Sequence, residues 1–399
     1  MVKVLDTDVL LSNRGIQATA ALRMRSGARY LATSWSSPVL VCRTYDAREV
    51  SVCDVSTGQV RVKDFQAREV MQPVLSPDGS AVLLNTYNAE QQQPHLASEN
   101  LLIYSTATGA RVSAISVNSL HLRTYTFSES GALVLTHSEN TVKSGVELVL
   151  WDCGTGRKQQ QMQCELGGVS ALFCLHDDRF VVTLHNYSGL ELKGETCDLR
   201  VFDAATGEQR HHSSGYVRDT LTPIAMTSRF YVARGRSNQD NRVCVFDLDT
   251  LQLSQLSIGQ VGKLYIDRAG GRGIDGALQV LDLSNDVIIS CFADLEKPQF
   301  RQNPQTYPKI SPDGRYVAWL SMSDSCVLVG CVETRSLIGR AFIHSTPLSL
   351  RLCHDNVVAV GSEEGYILLY DIVHGADDTA RARRRILQGD RRKHDVSRM

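Results

Sequence analysis

Residues 148–156 read LVLWDCGTG. A run of Leu, Val and Trp suits a half-buried or fully buried strand. The Asp that ends it can accept a backbone hydrogen bond from two residues on and so open a turn. Gly156 supplies the positive φ that a short hairpin connection needs. The stretch therefore predicts strand, tight turn, next strand.

The same phrase returns along the chain. EVSVCDVSTG ends at Gly58, LLIYSTATG at Gly109 and LRVFDAATG at Gly207. Looser copies are VCVFDLDT (243–250), LQVLDLSN (278–285), VLVGCVETRS (327–336) and YILLYDIVHG (366–375). Aligned on the turn-opening position, the copies fall at Asp54, Ser105, Asp152, Asp203, Asp247, Asp282, Cys331 and Asp371. Successive steps are 51, 47, 51, 44, 35, 49 and 40 residues. A period of about 45 residues with several short strands per unit is the expectation for a β-propeller blade.

A second phrase keeps the same period. LSPDGSAVLL (75–84) and ISPDGRYVAWL (310–320) each precede a strand-turn phrase, and FSESGALVLTHS (127–138), LHDDRFVVTLHN (175–186) and CHDNVVAVGS (353–362) are freer versions. Each reads as strand, Asp/Gly turn, strand. One unit is then strand a, an SPDG-like turn, strand b, a variable connection, strand c, a D-x-x-T-G turn and strand d. On these two phrases the chain resembles the WD-repeat β-propeller family, up to about residue 375. The resemblance implies a single all-β propeller of four-stranded antiparallel blades, eight preferred to seven, over residues 1–379. The loose, Trp-poor repeats are similar to propellers at the C-termini of large scaffold and sensor proteins, including those with NACHT-type ATPase domains. A propeller fold does not by itself state a function.

The resemblance extends to one buried network. In the family, His, Ser, Asp and Trp form a hydrogen-bond chain within a blade. VGSEEGYILLYD places His344, Ser362, Glu364 and Tyr370 at the matching positions of the last blade, with Glu for Asp and Tyr for Trp. The other repeat residues with structural roles are Asp54, Gly58, Gly109, Trp151, Asp152, Gly156, Asp203, Gly207, Asp247 and Asp371.

Residues 1–12 contain VKVLD, which fits the period as a strand c; the resemblance implies that the ring closes by pairing strands from both chain ends in one blade, and the other reading is that the chain is one piece of a longer array. Such closure removes sheet edges that would otherwise template aggregation. Strand a of the sixth unit is either compressed into Ser257–Val261 or missing. Residues 380–399 hold eight basic and two acidic residues, so the tail is +6 and the remainder −7 within a net charge of −1. The tail reads as a disordered basic end; the second reading is contact with nucleic acid, a membrane surface or an acidic partner, of which nucleic acid is not expected because the tail lacks aromatics to stack bases. The N-terminus lacks a basic region followed by an apolar core, and no segment of about 18 apolar residues occurs. Eleven cysteines without a C-x-x-C pair read as reduced, buried thiols of a cytoplasmic protein.

Catalytic, cofactor and metal motifs do not emerge. His211 and His212 are adjacent, so in a strand they point to opposite faces and cannot readily share a metal. Gly271–Gly276 satisfies G-x-G-x-x-G but is followed by the strand phrase ALQVLD rather than a helix, which reads as a b–c connection. The expectation is a non-enzymatic protein that takes other proteins as partners, with no cofactor and no metal. The reading from another class is a propeller enzyme, of hydrolase or quinoprotein type, holding a small molecule on its axis. The b–c connections of blades 2 to 6, read as 88–100, 138–146, 186–197, 235–242 and 268–277, are long and polar, whereas the c–d turns are short. They form a candidate binding rim, with His95, Glu191, Lys193, Arg234, Arg236 and Asp240 as candidate contacts.

Overall fold

The computed structural model describes residues 16–373, apart from isolated positions and the segments 66–71, 87–97, 119–121, 141–144, 187–195, 218–221, 235–241, 257–263 and 293–306. Residues 1–15 and the basic tail lie outside the described residues, and so does the strand expected within 1–12. The described chain is all-β, with 32 strands arranged as a propeller ring.

Each blade is a meander of four antiparallel strands, a to d, as the two phrases predict. Blade 1 spans 28–63, blade 2 74–118, blade 3 122–165, blade 4 168–217, blade 5 222–255, blade 6 265–291 and blade 7 309–342. The closing blade takes three strands from Pro347–Ile372 and its outermost strand from Ile16–Arg23. By hydrogen-bonded sheets the ring has seven members, because blades 4 and 5 are joined through the single pair Tyr216 and Arg234. By four-stranded units it has eight.

The packing follows the units. Among the described residues there are eight separate apolar clusters, one in each seam between neighbours. Between blades 7 and 8, for example, Tyr316, Leu320 and Val329 meet Leu350, Val358 and Tyr370. The continuous apolar runs of strands b and c explain this: a blade wedged between two others buries both of its faces. Each buried Leu, Ile or Val contributes roughly 1.5–3 kcal/mol, and that is what holds the ring together.

Among the described residues, closure comes from the strand Ile16–Arg23. It pairs with Tyr366–Ile372 from Ile16 opposite Ile372 to Arg23 opposite Tyr366. The Thr19 hydroxyl donates to the Leu369 carbonyl at 3.2 Å. Its sequence, IQATAALR, carries little strand patterning, and it is an edge strand of its sheet.

Three sequence expectations are corrected here. Strand a of blade 6 is Tyr265–Ile266, downstream of 257–261. Arg272–Ile274, inside the supposed b–c connection 268–277, is strand b of that blade, so the middle of G-x-G-x-x-G is strand. The polar residues Ser138–Asn140 continue strand b of blade 3, which leaves only 141–144 between it and strand c.

Candidate functional site

The repeat turns define one face of the ring. In the c–d turns the Asp carboxylate accepts the backbone N–H groups that follow it. Asp54 Oδ1 takes those of Ser56 and Thr57 at 2.9 and 3.2 Å, Asp203 Oδ1 those of Ala205 and Thr206, and Asp247 Oδ1 those of Asp249 and Thr250. Asp152 takes the Thr155 amide at 2.7 Å and its hydroxyl. Burial pushes the Asp54 carboxyl up, but the Ser56 hydroxyl and the Arg61 guanidinium outweigh it and hold it below the usual carboxylate range. Asp152 and Asp203 are lowered by their turn hydrogen bonds, first from Thr155 and Thr206 respectively. Gly58, Gly109, Gly156 and Gly207 all have positive φ. Trp151 donates its indole N–H to the Thr136 hydroxyl at 2.9 Å, tying strand c to strand b.

The a–b turns share this face and link the blades. Ser34 Oγ donates to the Pro77 carbonyl at 2.7 Å, from blade 1 to blade 2. Asp178 of blade 4 accepts the Ser130 amide of blade 3 at 3.1 Å. Tyr231 Oη reaches the Gly270 carbonyl at 2.9 Å, Arg272 Nη1 the Gly314 carbonyl at 3.1 Å, and Asn356 Nδ2 reaches Asp313 Oδ2 at 3.0 Å. These bonds join blades 5 through 8 in sequence.

The expected four-residue network of the last blade is not assembled. His344 and Glu364 are exposed. Ser362 is buried, but its hydroxyl accepts the Tyr366 amide at 3.0 Å. Tyr370 is buried, and that burial alone raises its phenol far above the usual range. No hydrogen bond links these four side chains among the described residues. Substituting Glu for Asp puts the carboxylate on a longer stem, where solvent is the better partner. Asp371 is buried in strand c opposite Gln17, so the closing strand occupies the place of a turn.

Of the candidate rim residues, His95, Glu191, Lys193, Arg236 and Asp240 lie outside the described residues. Arg234 is not in a loop: it ends strand b of blade 5, exposed, and makes the one ladder pair that joins blades 4 and 5. His211 and His212 point to opposite sides as expected. His212 Nε2 meets Asp198 Oδ2 at 2.8 Å, and His211 Nε2 meets Ser213 Oγ at 2.8 Å while its ring packs on Phe246. They belong to blade packing rather than to open loops.

The sequence reading missed a cluster on the ring axis. It draws Tyr30, Tyr125, Tyr265, Lys309 and Arg351 from strand a of blades 1, 3, 6, 7 and 8, Gln72 and Tyr307 from just ahead of strand a of blades 2 and 7, and Arg43 from strand b of blade 1. Gln72 Nε2 donates to Tyr30 Oη at 2.8 Å, and Tyr125 Oη donates to the Gln72 carbonyl at 2.6 Å. Across the axis, Lys309 Nζ lies 4.0 Å from the centre of the Tyr265 ring, whose centre is 6.0 Å from that of Tyr307. Arg351 is close enough to both Tyr30 and Tyr265 for the phenols to act on its charge. Burial lowers the Arg351 guanidinium pKa, and those two phenols and the Cys353 thiol oppose the shift. Burial and the nearby Arg29 charge lower Arg43, opposed by Tyr125, Tyr30 and Asp46. Burial also drives the Tyr265 phenol well above its usual range, Tyr307 adding to it and Arg351 opposing. Residues of six blades can interact in this way only where the blades converge.

A register signal for this cluster exists in the sequence. Tyr265, Lys309 and Arg351 each stand two residues before the first residue of their a–b turn, at Asp267, Ser311 and Cys353. The matching positions of blades 1 to 3 hold Ala32, Val74 and Thr126. Among these six blades, a Tyr, Lys or Arg stands at that register only in blades 6, 7 and 8. Among the described residues no group of three His, Cys, Asp or Glu side chains is placed to hold a metal ion, and no helix is long and apolar enough to cross a membrane.

No family model matches the chain, and no curated protein matches it. Among solved structures it is similar to the crystal structure of Ika8, a computationally designed protein, at 17% identity and a TM-score of 0.58. The likeness covers 88% of this chain and 98% of the designed one. At that identity it speaks to the fold alone.

Proposed function

We propose that this chain is a non-enzymatic protein-interaction platform of WD-repeat type that works in the cytoplasm and binds other proteins through the face carrying its b–c connections. The difference between the two faces carries this reading. One face is locked by short turns bonded to one another across seams. The other carries the connections from Thr86 to Ser98, from Asn186 to Thr196 and from Arg234 to Arg242, whose ends are fixed by paired strands. A closed ring holds those ends rigidly, so ordering the connections on a partner costs less than ordering a free chain. A standard interface needs roughly 800 Å² per partner, which several neighbouring long connections can supply and one four-residue turn cannot.

The test is to replace residues 87–97 and 187–195 with short Gly-Ser links and compare affinity capture with the unaltered protein. The expected result is an unchanged melting temperature and loss of the main captured partner. Capture that survives the replacement, but is lost on substitution of Thr155 and Arg157 in a c–d turn, would move binding to the opposite face and overturn the proposal.

A further inference from the structure

The seam between blades 8 and 1 gathers sulfur. Met24 lies in the connection that leaves the closing strand Ile16–Arg23 for strand a of blade 1, and its amide donates to the Gly365 carbonyl at 2.8 Å. Cys42 and Cys53 stand on strands b and c of blade 1. Leu40 pairs with Cys53 and Cys42 with Ser51, so the two cysteines are diagonal neighbours on one face of the sheet. Cys42 Sγ lies 3.4 Å from Met24 Sδ and 4.0 Å from Cys53 Sγ. Both cysteines are 0% exposed and Met24 is 5% exposed. All three belong to one apolar cluster with Leu22, Leu31 and Leu40.

These separations suit a shared ion. Three sulfurs held in a plane at about 2.3 Å from a metal stand about 4 Å from one another. Cys42 and Cys53 already have that spacing. The Met24 thioether, on an unbranched and flexible stem, has to withdraw by only a fraction of an ångström. The donor types then choose the ion. Thiolate and thioether sulfur are soft ligands and select copper(I), whereas carboxylate, carbonyl and water suit the hard divalent cations. Burial first, and then the Cys53 thiol, push the Cys42 thiol well above its usual pKa. Cys42 is therefore a protonated thiol that donates to Met24 Sδ or to the Ser51 carbonyl, also at 3.4 Å. A metal takes the place of that proton.

We propose that Met24, Cys42 and Cys53 bind one copper(I) ion in trigonal sulfur coordination, at the seam where the ring closes. No electron moves in this step. Cu⁺ enters as Cu⁺, each cysteine releases its proton to solvent as its sulfur ligates, and the thioether stays neutral. Two thiolates and one Cu⁺ leave a single negative charge. Since Met24 belongs to the connection from the closing strand, the ion ties that connection to strands b and c of blade 1. The site is independent of the rim reading. Its sulfurs are 18 and 11 residues apart, so sheet pairing and ring closure assemble it rather than a local motif.

The test is competition for copper(I), supplied anaerobically as tetrakis(acetonitrile)copper(I), between the reduced full chain and the chromophoric chelator bathocuproine disulfonate. The parent is expected to withhold one equivalent, to show sulfur-only coordination by copper X-ray absorption, and to melt higher with copper than without. Cys42→Ser and Cys53→Ser should each release the copper to the chelator. Met24→Leu keeps the side-chain volume; it should weaken binding at least tenfold and cancel the rise in melting temperature. If a serine variant lowers the folded yield, Met24→Leu decides alone. Cys153→Ser, at a half-buried thiol of blade 3, controls for the other cysteines and should bind as the parent does. Three results would overturn the proposal: no copper withheld, copper held by Met24→Leu as tightly as by the parent, or copper lost in Cys153→Ser but kept in Cys42→Ser.

Discussion

In the c–d turns of blades 1 to 4, the fourth residue after the turn-opening position is Gly58, Gly109, Gly156 or Gly207, with φ between 65° and 75°. In blades 5, 6 and 7 the same place holds Leu251, Asp286 and Arg335, at φ 55°, 58° and 52°. The backbone conformation is one; the residues are not. In the first four turns a second constraint acts, since each glycine lies against the preceding blade. A Cβ on Gly58 would meet Ala20 Cβ at 2.5 Å, and one on Gly109 would meet Val62 Cγ1 at 2.8 Å. Leu251, by contrast, packs its side chain onto the core shared by blades 4 and 5. Where a seam leaves room, a left-handed residue with a side chain is tolerated; where blades close on the turn, glycine is required. Glycine here reports the tightness of the seam as much as the turn.

The comparison is broken most severely at Gly156. A Cβ there would sit 2.2 Å from the Ala114 carbonyl oxygen, a backbone atom that cannot swing aside. Gly156→Val adds the left-handed penalty, about 1–2 kcal/mol, to a strain of about 1–3 kcal/mol for overpacking. A loss of about 3 kcal/mol or more in urea unfolding is expected. At Gly207 the nearest atom is the end of the flexible Gln160 side chain, at 2.5 Å. Gly207→Ala should therefore cost about 1 kcal/mol, mostly from φ. Equal losses at both sites would mean that the turn, not the seam, sets the cost.

The a–b turns offer a second contrast. In blades 2, 3 and 7 a serine hydroxyl accepts the amide five residues on: Ser76 from Ala81, Ser128 from Leu133 and Ser311 from Tyr316. Blade 6 puts Asp267 in that place, accepting from Gly271 and Arg272. Burial is the largest influence on Asp267 and leaves its carboxyl above the usual range despite those bonds. Its folded pKa exceeds its unfolded one, so it takes stability away as pH rises between the two. Asp54, Asp78 and Asp313 are lowered, so they add stability above about pH 4 and lose it as pH falls through their folded pKa values. Asp267→Ser should raise stability by about 1 kcal/mol at pH 7, with the gain vanishing below about pH 4. Thermal unfolding across pH 3–7 reads this, and a gain that persists at pH 3 would assign the effect to packing.

These contrasts also mark what could be read in advance. The c–d phrase was legible because one Asp, one Gly and an apolar run satisfy local chemistry that needs no neighbour. Strand a of blade 6 was misplaced because two residues, Tyr265 and Ile266, hold no periodicity. Ser138–Asn140 reads as loop because its polar residues break the apolar run of strand b, and its strand character comes from pairing with Gly145–Glu147. The axial cluster was invisible because each of Tyr30, Lys309 and Arg351 stands alone in its own strand, and only ring closure brings them together. The closing strand Ile16–Arg23 is defined by its partner, Tyr366–Ile372, more than by its own pattern.

The smallest effect is the sharpest test of the turn comparison. Arg335 is exposed and holds φ 52°. Changing it to glycine relieves the left-handed penalty of about 1–2 kcal/mol. The gain is offset by the extra freedom glycine has in the unfolded chain, about 0.4–1 kcal/mol. A net gain of about 0.5 kcal/mol is expected for Arg335→Gly. At Leu251 the same change also removes apolar packing against the blade 4 and 5 core, so Leu251→Gly should be destabilising. Opposite signs at two turns of one conformation, read in the same urea titration, would separate the backbone contribution from the seam. If both changes stabilise, Leu251 adds nothing to its seam; if both destabilise, the left-handed penalty at Arg335 has been relieved by the surrounding turn.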